Sequence, residues 1–175
     1  MLDKIILGLL HTQPHSAYSL QKAMEKSTNF FYGASQGNIH PTLKRMASAK
    51  LVATKKQSTG SRPRIEYTIT RMGRQEFKNW VNGPLQVGRV KDDALVKLFF
   101  LGHVVKSKRQ QIIKEFQQDL AESRAALLLV KELNAVQEHS KPLTEVELFR
   151  LETIQYGIDY FEFTEKWYKK LLERV

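Results

Sequence analysis

The sequence contains no cysteine. This absence excludes disulfide bonds, thiolate nucleophiles and cysteine-based zinc sites, and it suits a reducing compartment. Long apolar runs are absent too, because no window approaches the roughly 18 consecutive apolar residues that a membrane span needs. The N-terminal stretch MLDKIILGLL has a short apolar core and no small-residue cleavage motif, so it does not resemble a signal peptide. We therefore expect a cytoplasmic protein without a membrane partner.

Catalytic motifs are also missing. The five histidines, at positions 11, 15, 40, 103 and 139, show no H-E-x-x-H spacing, and neither a G-x-S-x-G motif nor a phosphate-binding glycine loop occurs. The carboxylate pair Asp92-Asp93 stands at a predicted helix start, where such side chains cap free amides. The sequence therefore disfavours an enzyme and predicts neither a cofactor nor a metal site.

Acidic residues are scarce in the first half of the chain. Residues 1–82 hold 13 Lys and Arg against 4 Asp and Glu, a balance of +9, whereas residues 83–175 hold 15 against 14, a balance of +1. A small basic unit joined to a nearly neutral one is typical of a protein that binds a polyanion and carries an assembly domain. A basic surface that serves only solubility would not need this asymmetry.

The spacing of apolar residues and turn residues predicts a winged helix-turn-helix over residues 1–82. A first helix begins at Leu2, Ser16 caps a second, and Ser35 caps a third that runs to about Ala49. The β-prone runs LVATKKQ and RIEYTIT, joined by STGSRP, predict a hairpin, and Thr70 caps a fourth helix. The stretch NGPLQVG, residues 82–88, is the predicted domain boundary.

The pattern of capping and apolar residues predicts three helices in residues 89–175. The first begins at Asp92 and Asp93, and the second runs from Ser107 to about His139. The third opens with the capping box TEVE, residues 144–147.

Two of these helices carry apolar residues at alternating spacings of three and four, as in a coiled coil. The seam of the long helix has one polar break and comprises Ile113, Phe116, Leu120, Ser123, Leu127 and Val130. The last helix repeats the spacing at Leu151, Ile154, Ile158 and Phe161, and it adds an aromatic stripe at Tyr156, Tyr160, Phe163 and Trp167. Such a broad apolar face needs a partner, so we expect a helical dimerisation domain.

The third helix has the pattern of a recognition helix. At about 100° per residue, Ile39, Leu43 and Met46 share one face, which we expect to be buried. The opposite face is small and polar at its start and cationic further along: Gly37, Asn38, His40, Pro41, Lys44 and Arg45. The start of a recognition helix contacts base edges, and asparagine pairs well with adenine. A solvated face beside a core stripe is the alternative interpretation.

The predicted hairpin is basic. Lys55, Lys56, Arg62 and Arg64 surround a glycine-containing tip, and only Glu66 lies nearby to offset them. We expect this wing to contact phosphates without reading bases, because phosphate contacts carry no direct sequence information.

Five stretches in this order resemble the PadR family of bacterial transcriptional regulators. They are ILGLL at 6–10, SAYSL at 16–20, GNIHPTLKRMASAKLV at 37–52, YTITRMGRQEFKNWV at 67–81 and DDALVKLFF at 92–100. The longer C-terminal half resembles the virulence-activator type of C-terminal domain. Two departures are SAYSL for the usual S-G-Y-D-L and His40 for the common Tyr before the helix proline. The second bears on operator preference, because that Tyr position is similar to one that contacts DNA in the family.

The resemblance implies a mainly α fold with a small β-hairpin, and a homodimer that binds a pseudo-palindromic DNA operator and represses transcription. Half-sites would lie roughly 34–36 Å apart. Predicted DNA contacts are Tyr18, Gln36, Gly37, Asn38, His40, Pro41, Lys44, Arg45, Lys55, Lys56, Arg62 and Arg64. Predicted dimer contacts are Leu95, Leu98, Phe99, Leu151, Ile154, Ile158, Phe161 and Trp167.

Two questions stay open at the level of sequence. Family members respond to phenolic acids or hydrophobic drugs, and Trp80, Trp167, Tyr156, Tyr160 and Phe163 could line a pocket for a small aromatic effector. Aromatic residues at helical spacing also form cores and dimer contacts, so we assign no effector-binding residue. The other question is whether the winged helix is instead a protein–protein adaptor, which would need apolar anchors on the exposed face of the third helix.

Overall fold

Helices account for most of the chain, and the strands are confined to its first half. The computed structural model describes residues 1–32, 36–57, 64–87, 92–137 and 142–175. The chain divides into two compact units, Met1–Val87 and Gly88–Val175. The predicted fold class, mainly α with a small β component, is confirmed.

The N-terminal unit contains α1 (Leu2–Thr12), β1 (His15–Ser16), α2 (Ala17–Glu25), α3 (Gln36–Ser48), β2 (Val52–Gln57), β3 (Arg64–Ile69) and α4 (Arg71–Val81). The C-terminal unit contains α5 (Asp93–Phe100), a 3-10 turn (Leu101–His103), α6 (Lys106–Gln137) and α7 (Glu145–Leu172).

Polar side chains cap the helices at most of the predicted positions. Ser16 Oγ accepts from the Ser19 amide at 3.1 Å, and Ser19 Oγ accepts from the Ser16 amide at 2.8 Å. Thr70 Oγ1 accepts from the Gly73 amide, Asp92 accepts from the amide of Ala94, and Thr144 and Glu147 form the capping box. The predicted cap Ser35 lies outside the described residues. The predicted start of α6 was one residue late, because the helix begins at Lys106 and Ser107 lies in its first turn.

The sheet has three strands rather than the predicted two. Its order is β1-β3-β2, with antiparallel pairing throughout. The additional strand β1 places His15 opposite Tyr67 and Ser16 opposite Glu66. Two residues are too few to show the alternation by which a strand is recognised in a sequence.

The core of the N-terminal unit forms where α1, α2 and α3 meet the sheet. Ile39, Leu43 and Met46 are each at most 1% exposed, so the predicted inner face of α3 is confirmed. They pack in one cluster with Leu2, Ile6, Leu7, Leu10, Leu20, Met24, Val52, Tyr67 and Ile69. The outward face of α3 is thereby fixed, because rotating the helix would expose this stripe.

The end of α3 is joined to the base of the hairpin by a tight junction. Lys50 has a φ of 58°, and the amides of Lys50 and Leu51 donate to the carbonyls of Ala47 and Met46. These two bonds form a Schellman motif, in which glycine is the usual left-handed residue. A Cβ on Gly73 of α4 would lie 2.2 Å from the Leu51 carbonyl oxygen, so only glycine fits there without movement.

The C-terminal unit is built on an antiparallel pairing of α6 and α7. The Phe116 and Tyr168 ring centroids are 4.9 Å apart, and Lys131 donates to Gln155 near the opposite end of the pair. Arg124 Nε donates to Glu165 Oε1 at 2.7 Å between them. Ile113, Leu120 and Leu127 on the predicted seam of α6 are all buried.

This pairing bears on the predicted dimer interface, which stays a prediction. The α7 seam of Leu151, Ile154, Ile158 and Phe161 lies on the intrasubunit side, where Ile158 is only 6% exposed and the other three are half-buried. Ile158 is therefore almost fully buried within a single subunit. Leu98 is also half-buried and packs against the core of this unit, whereas Leu95, Phe99 and Trp167 are exposed. The predicted end of α6 near His139 lies outside the described residues.

Candidate nucleic-acid interface

The outward face of α3 is fully open to solvent. Its predicted members Gly37, Asn38, His40, Pro41, Lys44 and Arg45 are all exposed. Within the described part of the chain, neither Lys44 nor Arg45 forms an ion pair, and this face carries no acidic side chain. The face therefore offers hydrogen-bonding groups at its start and uncompensated positive charge further along.

Pro41 lies inside α3. It is the sixth residue of a helix that begins at Gln36, so it lies beyond the first turn. At this position a proline removes the amide that would donate to the Gly37 carbonyl. The carbonyl of Gly37 thus loses its usual intrahelical donor on the side of the helix that is proposed to meet DNA. The side chain of Gln36 is not described.

The helix α2 presents Tyr18 beside this region of the unit. Tyr18 is 64% exposed, and the ammonium of Lys22 lies 5.9 Å from its ring centroid. Lys22 also pairs with Glu25 at 2.6 Å. Tyr18 is therefore accessible, and its contact with DNA stays a prediction.

The start of α2 is held by a buried histidine. His15 is 8% exposed, and its Nδ1 lies 3.1 Å from Ser19 Oγ. Burial lowers the pKa of His15, because the low-dielectric surroundings disfavour the imidazolium form. Sequence reasoning missed this contact, since nothing in the local pattern distinguishes His15 from the exposed His11. Ser19, which departs from the family motif, supplies the capping bond itself.

The hairpin places its two described lysines on opposite faces. Lys55 pairs in register with Glu66, and Lys56 pairs with Ile65. Both lysines are exposed, and successive strand residues point to opposite sides of the sheet. Lys55 therefore lies across from a carboxylate and Lys56 does not. Arg62 lies outside the described residues, and the side chain of Arg64 is not described.

The described residues show neither a metal site nor a membrane-spanning helix. No group of three or more His, Asp or Glu side chains among them could hold a metal ion. None of the helices described here is both long and apolar enough to cross a membrane.

A helical core with an outward third helix and an adjoining antiparallel hairpin defines a winged helix-turn-helix protein of the DNA-binding class. Comparison with known families agrees with this class. Residues 6–79 match the transcriptional regulator PadR-like family, and residues 90–175 match the virulence activator alpha C-terminal family. Residues 6–79 therefore belong to the PadR-like family, whose members are DNA-binding transcriptional regulators and not enzymes. The resemblance drawn from the sequence motifs is confirmed.

Individual relatives share this fold over nearly the whole chain. PadR of Bacillus subtilis in complex with operator DNA has a TM-score of 0.86 at 18% identity, covering 99% of this chain and 97% of that one. BC1756 from Bacillus cereus has a TM-score of 0.77 at 26% identity and covers 98% and 96%. The Vibrio cholerae virulence activator AphA has a TM-score of 0.76 at 20% identity and covers 99% and 97%.

The match found by sequence covers a shorter part of the chain than the structural matches do. The negative transcriptional regulator PadR of Bacillus subtilis (strain 168) is 24% identical over 117 residues. The aligned part spans 66% of this chain and 64% of that relative, which is less than two thirds of its length.

Proposed function

We propose that this protein acts in the cytoplasm as a homodimer that binds a pseudo-palindromic operator and represses transcription. Residues 1–82 form the DNA-binding domain, and residues 89–175 form the dimerisation and effector domain. The observation that carries the proposal is the outward face of α3, where Asn38, Lys44 and Arg45 are exposed and no acidic side chain offsets them. A face of this kind fits the base edges and phosphates of a major groove.

Each subunit contributes one recognition helix and one wing. The first turns of α3 contact base edges through Gln36, Gly37, Asn38, His40 and Pro41. Phosphate contacts come from Lys44, Arg45, Lys55, Lys56, Arg62 and Arg64, and Tyr18 borders the surface. The similar fold of the Bacillus subtilis PadR complex with operator DNA supports this arrangement. The face of α3 holds none of the exposed large apolar side chains that an adaptor would need, so no observation favours the adaptor alternative.

Dimerisation uses apolar surface that the C-terminal unit leaves exposed. Phe99 is 82% exposed on α5, and Tyr156 and Phe163 are 70% and 67% exposed on α7. Exposed apolar patches of this extent mark interaction sites. Leu95, Phe99 and Trp167 therefore remain in the proposed interface, whereas Ile158 does not.

A small aromatic effector would release the DNA. The Bacillus subtilis relative is a negative regulator and has been solved in complex with p-coumaric acid, in a structure with a TM-score of 0.76 and 18% identity to this chain. These two facts support repression and effector control for this protein.

Sedimentation of the purified protein, alone and with an operator duplex, tests the dimer. The parent should sediment as a dimer and bind with two chains per duplex. Phe99→Glu combined with Phe163→Glu should give a folded monomer with weakened operator binding, because each change charges the proposed interface. Gln118→Glu, on an exposed position of α6, is the control and should remain dimeric. A double variant that stays dimeric and binds normally would contradict this interface.

A further inference from the structure

The C-terminal unit contains a partly open cavity that the proposed DNA contacts do not use. Its volume is about 210 Å³, and it lies between α5, the first half of α6 and the end of α7. The lining is mostly apolar and includes Leu98, Leu101, Ile113 and Phe116. A second hollow beside it shares Lys97, Leu101 and Ile112. Ligand sites in proteins commonly combine such apolar walls with a few polar groups.

The wall of this cavity includes a phenol, Tyr168, that has no hydrogen-bond partner among the described residues. Tyr168 is 5% exposed, and it lines the cavity with its ring edge-on to Phe116. Its hydroxyl forms no hydrogen bond with any of the residues that the structure describes. Burial raises the pKa of Tyr168, and the nearby Asp92 carboxylate raises it further, so the hydroxyl keeps its proton at neutral pH. The hydroxyl is not one of the fully buried unpartnered polar atoms, so solvent reaches it and it is available to a polar group of a bound molecule.

The charged side chains of the cavity are predominantly acidic. Glu115 and Asp119 lie one turn apart on α6, and Lys97 faces them from α5. Among the described residues, Lys97 forms no ion pair with either carboxylate. Glu115 accepts only from Gln111 Nε2, at 2.7 Å, and the Asp119 carboxylate accepts from no described group. The three groups together carry a charge of −1, so they disfavour an anionic ligand.

We propose that this cavity binds a small aromatic molecule that carries one protonated amine. Its ring would pack between Phe116, Leu98 and Ile113, its polar end would bond the Tyr168 hydroxyl, and its ammonium would lie between Glu115 and Asp119. This assignment deepens the effector role and rests on the proposed regulatory function, but binding to the cavity does not depend on DNA. A carboxylate such as that of p-coumaric acid would meet two negative charges at the same place.

Three probes with one ring and different charge test the proposal. They are tyramine, which is cationic, 4-ethylphenol, which is neutral, and 3-(4-hydroxyphenyl)propionate, which is anionic. Calorimetric titration of the full chain at pH 7 and low salt should rank them in that order. The amine should bind about tenfold more tightly than the acid, the effect expected of two partly exposed charge pairs. Equal affinities, or tighter binding of the acid, would overturn the proposal.

Variants of the cavity assign the effect to its residues. Glu115→Gln with Asp119→Asn should weaken tyramine binding until it matches 4-ethylphenol, whose own affinity should not change. The control is Glu122→Gln with Glu132→Gln, which removes two exposed carboxylates from the same helix outside the cavity. Tyr168→Phe should weaken all three probes, and Ala94→Leu, which fills the cavity, should abolish binding. If the carboxylate pair and its control behave alike, the cavity does not select the amine.

Measuring operator binding with the same preparations distinguishes a failure of the cavity assignment from a failure of the proposed regulatory function. Intact operator binding without tyramine binding would refute the cavity assignment and leave the regulatory function standing. Tyramine binding without operator binding would leave the cavity assignment standing and refute the regulatory function.

Discussion

His15 is a buried titratable side chain of the N-terminal unit, and it links the stability of that unit to pH. Burial lowers its pKa, so the unfolded chain takes up a proton at a higher pH than the folded chain. The contribution of the neutral ring is complete above a pH of about 6.5 and is lost as the pH falls from there through the lowered folded pKa.

The melting temperature of the parent should therefore fall as the pH is lowered from 7.5 to 5. The fall should be smaller in His15→Gln, which does not titrate and can still bond Ser19. His40→Gln removes an exposed histidine and serves as the control, which should follow the parent. Parallel profiles for the parent and His15→Gln would show that another group causes the dependence.

Lys50 holds a backbone conformation that favours glycine. Its φ of 58° lies in the left-handed region, where a Cβ meets the following carbonyl. Lys50→Gly should raise the free energy of unfolding by about 0.5–1 kcal/mol, after allowing for the greater freedom of glycine in the unfolded chain. Lys50→Ala keeps a Cβ and should leave stability unchanged. Denaturant titration measures both, and an equal gain from the two changes would mean that the lysine side chain, not φ, causes the strain.

At the scale of elements, the starts of the helices could be predicted because they depend on neighbouring residues. The packing partner of each helix face could not be predicted, because it depends on distant residues. Ser16, Thr70 and Thr144 mark helix starts in the sequence. Each cap side chain accepts a hydrogen bond from a backbone amide only two or three residues later. The seams of α6 and α7 were also visible as spacing. Spacing identifies an apolar face but not what covers it, and the α7 seam proved to be covered by α6 of the same subunit. The junction at Gly73 depends on Leu51, twenty-two residues earlier, and has no local sequence signature.

The recognition helix and the wing should contribute differently to binding. Lys55→Ala with Lys56→Ala should weaken binding to every duplex similarly and reduce the salt slope by about one unit for each lost phosphate contact. Asn38→Ala should instead change which operator positions are preferred. Lys78→Ala, an exposed lysine of α4 outside the proposed surface, is the control. Anisotropy against operator variants measures both effects, and a wing pair that alters base preference would reverse this division of roles.

For the whole molecule, the asymmetry of charge agrees with the division into two units. The balance of +9 lies in residues 1–82, and the remaining residues carry +1. A basic N-terminal unit joined to a nearly neutral C-terminal unit suits a protein that is attracted to DNA by charge and dimerises through apolar contacts. The class of protein was accessible from the sequence because five motifs occur in order between residues 6 and 100. The third strand and the cavity around Tyr168 required the fold, since each joins residues that are far apart in the sequence.

Sequence-specific DNA binding is the central claim, and fluorescence anisotropy tests it most directly. The purified protein is titrated against a duplex from its own promoter region and against a scrambled duplex of equal length, across a series of salt concentrations. We predict tighter binding to the promoter duplex, with the stoichiometry of one dimer per site and a preference that persists as salt rises. Equal and similarly salt-sensitive binding to both duplexes, or binding to neither, would contradict the account.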